Sequence, residues 1–290
     1  MLPGMRASAK PGVAIVGAGN LASAMAVALR RAGYRIEQII SRDSAGSLRR
    51  ARQLASRVEA SAVSIARANI QSEIVWFCVP DGAIASAASS LTGAAGWEGK
   101  TALHSSGALT SDELSALRGR RAFVASVHPM MTFVHRSQPL FAGVPFAIEG
   151  DRRAVRAARA VVLNLGGHAF AIRKRQKEAY HAWGMFVSPL FTALLKTSES
   201  VAFAAGVSGR RARERMLPIL RQTLANYAAL GAAESFSGPI ARGDLETVRK
   251  HLKVLRRVPG AREVYVSLAR SALRDLPAKN RAALKKILKG

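Results

Sequence analysis

The chain has 290 residues, a hydrophobic fraction of 49%, and 44 Lys and Arg against 18 Asp and Glu, for a formal net charge of +26. Such a chain is globular and can bury a sizeable core, while its one cysteine, Cys78, excludes an internal disulfide framework and no Cys–His cluster offers zinc-type ligands. The positive excess is spread along the chain, as an Arg-rich surface or as an attraction for an anionic cofactor and substrate; with aromatics at 6% and no recognition motif, nucleic acid is not an expected partner.

The N-terminal stretch Met1–Lys10 lacks the apolar run of a secretory signal, so a cytoplasmic location is expected. Short β-type runs at Val13–Val16, Ile36–Ser41, Ile74–Val79, Thr101–Ser105 and Phe123–Val127 alternate with helical stretches. Two more, Pro145–Glu149 and His168–Ile172, flank a helix at Arg152–Leu165. Alternation of this kind predicts a parallel sheet with crossover helices. After Arg173 the β signal stops, and helices are expected at 174–205, 210–230, 244–257 and 261–274. The reading is therefore α/β: a Rossmann-type parallel sheet domain over 1–172, then an all-α domain over 173–290. Between Glu178 and Lys196 lie 17 residues without a charged side chain, short for a membrane span and expected to form the buried central helix of the second domain. The tail Lys279–Gly290 reads as a short basic amphipathic helix.

Gly17-Ala18-Gly19-Asn20-Leu21-Ala22 is a G-x-G-x-x-A string that follows an apolar strand and opens a small-residue helix. Gly17 permits the tight turn, Gly19 lets the backbone approach a pyrophosphate, and Ala22 keeps the helix close to the sheet. The next strand ends in Ser41-Arg42-Asp43 rather than in an acid. An arginine there accommodates a ribose 2′-phosphate through its planar fork, so NADP(H) is expected over NAD(H). Val79, Pro80 and Asp81 follow a strand at the ligand-binding edge and are expected beside the nicotinamide ribose, with Cys78 a small core residue.

A hydride transfer needs a proton donor and groups that hold an acidic substrate. Lys177, His181 and Ser188 are spaced by four and seven residues, hence on one face of the predicted helix. His181 or Lys177 is the candidate acid and Ser188 a substrate-orienting group; the plainer alternatives are a satisfied core histidine and a solvated lysine. Ser105, Ser106 and Gly107 form a loop after a strand, and His128 ends the next one; His104 and His128 are candidates either to bind substrate or to cap a turn. Gly238–Asp244 reads as a loop in which Arg242 clamps a carboxylate or pairs with Asp244, itself a helix N-cap.

These landmarks carry a resemblance. Gly17–Ala22, Ser41-Arg42 and Cys78–Pro80 resemble the pattern of pyrroline-5-carboxylate reductases. With His104–Leu109, Ser126–Met130, Pro145–Asp151, Tyr180-His181 and Gly238–Asp244, the series is similar to Rossmann-like proteins carrying the domain of unknown function 2520. That resemblance implies an NADP-binding domain followed by a helical domain like that of 6-phosphogluconate dehydrogenase relatives, which commonly dimerise. One departure is visible: Val187-Ser188-Pro189-Leu190 stands where the family commonly shows Ala-Ser-Asn-Tyr, and a proline bends the helix. The expected activity is NADPH-dependent reduction of a small anionic keto or imino acid, of the ketopantoate or pyrroline carboxylate type. The competing reading is a non-catalytic NADP(H) binder or sensor.

Overall fold

The computed structural model describes residues 10–134 and 140–289. The reading of the N-terminal stretch therefore falls, apart from Lys10, outside the described residues, as does Gly290 of the basic tail. The chain parts into two compact units, Met1–Gly184 and Met185–Gly290. The parting lies beyond residue 172, where the hydrophobic pattern changes, because Lys177 and Tyr180 are buried within the first unit.

The first unit runs β1 (Val13–Val16), α1 (Asn20–Arg31), β2 (Ile36–Ser41), α2 (Ala45–Val58), β3 (Ser61–Ser64), β4 (Ile74–Phe77), α3 (Ile84–Ser90), β5 (Thr101–His104), α4 (Ser115–Arg118), β6 (Phe123–Pro129), β7 (Pro145–Gly150), α5 (Arg152–Asn164), β8 (His168–Ala171) and the start of α6 (Lys177–Val187). The eight strands lie in the order β3-β2-β1-β4-β5-β6-β7-β8. Strands β1, β4 and β5 are buried at every residue, the signature of sheet covered on both faces. Alternation sorts them: Val13, Ile15 and Trp76 pack with α1, α2 and α5, while Ala14, Val16, Val75 and Phe77 pack with α3 and α4.

Two features depart from the expected sheet. β3 is additional; it has four residues with serine at both ends and lies at the sheet edge, so it lacks an apolar run to announce it. β7 runs antiparallel to β6, and β8 is parallel to β7. The sheet is thus mostly parallel rather than wholly so. A reversal needs no crossover helix, and none stands between β6 and β7 among the described residues.

The second unit is helical: the end of α6, then α7 (Pro189–Ala204), α8 (Gly209–Ser235), α9 (Gly238–Arg242), α10 (Leu245–Leu255), α11 (Ala261–Asp275) and α12 (Arg281–Ile287). Val248, Leu252, Leu273, Leu284 and Leu288 form a core contributed mainly by α10, α11 and α12. The single helix expected over 174–205 is broken at Ser188, whose φ of −131° and ψ of −78° are not helical, and Pro189 opens α7. α7 buries none of its residues and Phe186 is 71% exposed, so the uncharged stretch is not a buried central helix within this chain. No single helix among the described residues is long and apolar enough to cross a membrane. Gly238–Arg242 forms α9 instead of an open loop, and Asp244 caps α10 by accepting from Thr247 N at 3.0 Å.

Candidate functional site

The carboxyl edge of the parallel strands is where an open α/β sheet receives ligands, and the predicted residues of the first unit gather there. Gly17 closes the turn from β1 into α1 with φ +116°, and a β-carbon on it would lie 2.4 Å from the carbonyl oxygen of Cys78. Only glycine fits. Ala18 and Gly19 lead into α1, Gly19 has no atom within 4 Å of its β-position, and the first turn carries no acidic residue and no side-chain cap. The first N–H groups of Asn20, Leu21 and Ala22 have no hydrogen-bond acceptor among the described residues, as an anion site requires. Asn20 Nδ2 donates to the carbonyl of Phe133 at 3.3 Å, bringing the segment after β6 over this turn.

At the end of β2, Ser41 is buried and Arg42 exposed. Arg42 has no ion-pair partner among the described residues, and its carbonyl accepts from the Ser41 hydroxyl at 3.3 Å. Beyond β4, burial pushes the Cys78 thiol up to about 12, so it is an inert core group. Val79 and Pro80 lead to Asp81, whose Oδ2 accepts from Ser106 Oγ at 2.8 Å; its carboxylate braces the neighbouring loop.

The loop after β5 is internally bonded. Ser106 N donates to His104 Nδ1 at 3.1 Å, so His104 carries its proton on Nε2 and donates it to Thr110 O at 2.9 Å. With both nitrogens engaged, His104 takes the turn-capping alternative, and burial lowers its pKa to about 4. Ser105 Oγ accepts from the Trp76 indole at 2.8 Å within the core. Ser106 Oγ also accepts from Leu109 N at 2.9 Å. Of the three loop residues expected to bind substrate, only Gly107 is left with open backbone.

Helix α6 lies against this loop. Lys177 is fully buried and its ammonium donates to Ser106 O at 2.9 Å and Ser126 Oγ at 2.5 Å. The solvated-charge alternative for Lys177 is excluded: burial lowers its pKa to about 8, opposed by the charges of Glu149 and Asp81. Glu149 itself holds the loop by accepting from Ser111 N and Oγ at 2.6 and 2.9 Å. One turn along, Tyr180 lies 2.8 Å from His128 Nδ1 through its hydroxyl, and the rings of His128 and His181 meet edge to face at 6.4 Å. A β-carbon on Gly107 would lie 2.7 Å from His181 Cδ2 and 2.9 Å from His128 Nε2. Gly107, His128 and His181 thus form one surface, with Lys177 beneath it. Burial, then the charges of Lys177, His181 and His104, lower the His128 pKa to about 4.

Ser188 and Arg242 belong to the second unit. Ser188 does not share a helical face with Lys177 and His181, because α6 ends before it. Arg242 is exposed at the end of α9 and forms no ion pair with Asp244 among the described residues. Sequence reasoning assigned no role to Tyr180, Ser126 or Glu149. A hydroxyl next to His181 on an apolar stretch was the available signal for Tyr180; nothing in the local sequence marks the other two. No group of His, Cys, Asp and Glu able to hold a metal is found among the described residues.

Residues 4–129 match the family model of a Rossmann-like domain, and residues 144–272 match that of the domain of unknown function DUF2520. The chain joins a Rossmann-like domain to a DUF2520 domain. The DUF2520 match begins before β7, so Glu149, Lys177, Tyr180 and His181 come from it, and His104 and His128 from the Rossmann-like part. No curated protein sequence matches the chain. Among solved structures, it is similar to BF3122 of Bacteroides fragilis, provisionally described as an NADP oxidoreductase, at 24% identity and TM-score 0.77, covering 90% of this chain and 97% of that one. It is similar to TM1727 of Thermotoga maritima at 22% identity and TM-score 0.70, covering 96% and 98%. A reductive aminase of Aspergillus terreus in complex with NADPH and ethyl-5-oxohexanoate follows at 17% and 0.65, covering 97% and 99%. At these identities the likeness shows the fold.

Proposed function

We propose that this Rossmann-like/DUF2520 protein is an NADPH-dependent reductase of a small anionic keto or imino acid. One observation carries the reading: the open phosphate turn at Gly17–Asn20 and the His128–His181 surface occupy the same edge of one sheet. The residues fit the cofactor. The Gly17–Leu21 turn offers a pyrophosphate its free N–H groups, and the unpaired Arg42, with Ser41, offers a 2′-phosphate its fork and a hydroxyl. Bound NADPH supplies the hydride. The aminase with NADPH and a solved pyrroline carboxylate reductase of Plasmodium falciparum with NADP share the fold, which supports the choice of cofactor.

Within the chain, His181 is the proton donor to the substrate heteroatom, since it is only half-buried and its ring has no hydrogen-bond partner among the described residues. Lys177 has no solvent access, so its part is to hold the Ser106–Gly107 turn from below. The +26 charge draws anionic substrates to the protein. NADPH oxidation against a panel of oxo and imino acids tests the reading. Tight NADPH binding with no oxidation across the panel would leave the sensor alternative in its place.

A further inference from the structure

Three histidines approach the carboxyl edge, and their spare hydrogen-bonding valences separate them. His104 has both nitrogens engaged by backbone. His181 has neither engaged among the described residues. His128 has one: Nδ1 meets the Tyr180 hydroxyl at 2.8 Å, while Nε2 turns toward Gly107 and has no partner among the described residues. Among the described residues the Tyr180 hydroxyl has no acceptor other than Nδ1, an arrangement in which it can donate into Nδ1 and leave the ring proton to Nε2.

Building on the reductase reading, we propose that His128 is a second catalytic residue, a neutral imidazole whose Nε2–H donates a hydrogen bond to the substrate heteroatom, and that Tyr180 is the positioning residue that fixes this tautomer. The proton and the polarising hydrogen bond then come from different rings. His181 delivers the proton, while the His128 Nε2–H stabilises negative charge that builds on the heteroatom as hydride arrives at carbon. His128 keeps its own proton throughout, so the step balances with one hydride and one proton consumed. Neutrality suits that task, because the ring is surrounded by cationic or cation-forming groups: Lys177 from α6 below, His181 from the same helix, and His104 from the end of β5. The Tyr180 ring is clamped edge to face against His128, Phe170 and Trp183, which holds its hydroxyl in place. Gly107 allows the substrate to reach Nε2, since any side chain there would cover it.

Two measurements on the full-length chain test the inference. In protein labelled with 15N-histidine, without cofactor, long-range proton–nitrogen correlation should show one ring, lost in His128→Leu, in the neutral Nε2–H form from pH 7 down to pH 5 (about one unit above the value of about 4). Tyr180→Phe should turn that ring into a mixture of tautomers. Titration of this ring near pH 6.5, the ordinary histidine value, or an unchanged tautomer in Tyr180→Phe, overturns the proposal. In steady-state kinetics, His128→Leu should lower kcat by about 100-fold or more, the usual loss for one donor to a developing oxyanion. Tyr180→Phe should lower kcat by about 10-fold with KM for NADPH unchanged. An active wild type whose kcat survives His128→Leu overturns the catalytic role and leaves the reductase reading standing. A wild type that reduces nothing in the panel overturns both the reductase reading and the catalytic role, while the nitrogen spectra still decide whether Tyr180 sets the tautomer.

Discussion

The ammonium of Lys177 donates to the carbonyl of Ser106 at 2.9 Å, and through that bond the first turn of α6 is fastened beneath the loop that follows β5. A lysine chosen from sequence as a possible acid is therefore the floor of the site, and its neighbours at the surface are the histidines.

This buried charge leads to a first prediction. A lysine whose pKa is lowered to about 8 by burial destabilises the fold at neutral pH, because the unfolded chain solvates its charge better. Lys177→Met should raise the stability at pH 7 by about 1–3 kcal/mol in urea unfolding while lowering turnover. A less stable, fully active variant would contradict the assignment of Lys177 to the floor.

Stability should also depend on pH with a defined sign. His104 and His128 have folded-state values near 4 against 6.5 when free. The unfolded chain therefore takes up protons first as pH falls, and stability is lost between those two values. For His104, whose ring has no solvent access, the loss is on the order of 3 kcal/mol. Lys177 acts on the alkaline side: stability climbs as pH rises from about 8 toward 10.5. Thermal midpoints across pH 4–10 check both limbs, and the alkaline rise should vanish in Lys177→Met.

Gly107→Ala places a methyl group 2.7 Å from His181 Cδ2 and 2.9 Å from His128 Nε2. Neither ring can retreat without leaving its place, so kcat should fall by about 10-fold or more, with about 1–3 kcal/mol of overpacking cost. NADPH affinity, measured by fluorescence titration, should stay within about two-fold, because the substitution is remote from the phosphate turn.

Arg42→Ala should raise the dissociation constant for NADPH by about 10- to 100-fold, the worth of a charge-assisted fork on a phosphate. NADH binding should change by less than about two-fold, since that cofactor has no 2′-phosphate to lose. Calorimetric titration of both cofactors checks this, and equal losses would point to a general electrostatic role for Arg42.

Much of the first unit was legible because it rests on local rules. Seven strands, the glycine turn and the helix stop near Gly231 follow from apolar runs and from backbone positions that demand glycine, as φ +116° at Gly17 and φ 75° at Gly231 show. The short strand Ser61–Ser64 escaped because it has too few apolar residues to signal itself. The reversal of β7 and β8 escaped because strand direction is set by how the connection returns, not by the strand's own residues. The site was legible as a set of candidates but not in its roles. Ser105, Ser106 and Asp81 carry the chemistry of ligand binders, yet their polar atoms are engaged with Trp76, Leu109 and one another.

By itself, then, the sequence determined the βαβ phosphate turn and the free arginine beyond β2, since both depend on residues adjacent in the chain. Only the tertiary structure decided which histidine caps a turn, which two face Gly107, and that Lys177 lies below them. Those assignments depend on contacts between β5, β6 and α6 that are 51 and 71 residues apart for Lys177 alone, and a side chain's role is set by the partners that occupy its hydrogen-bonding valences, which no local pattern records.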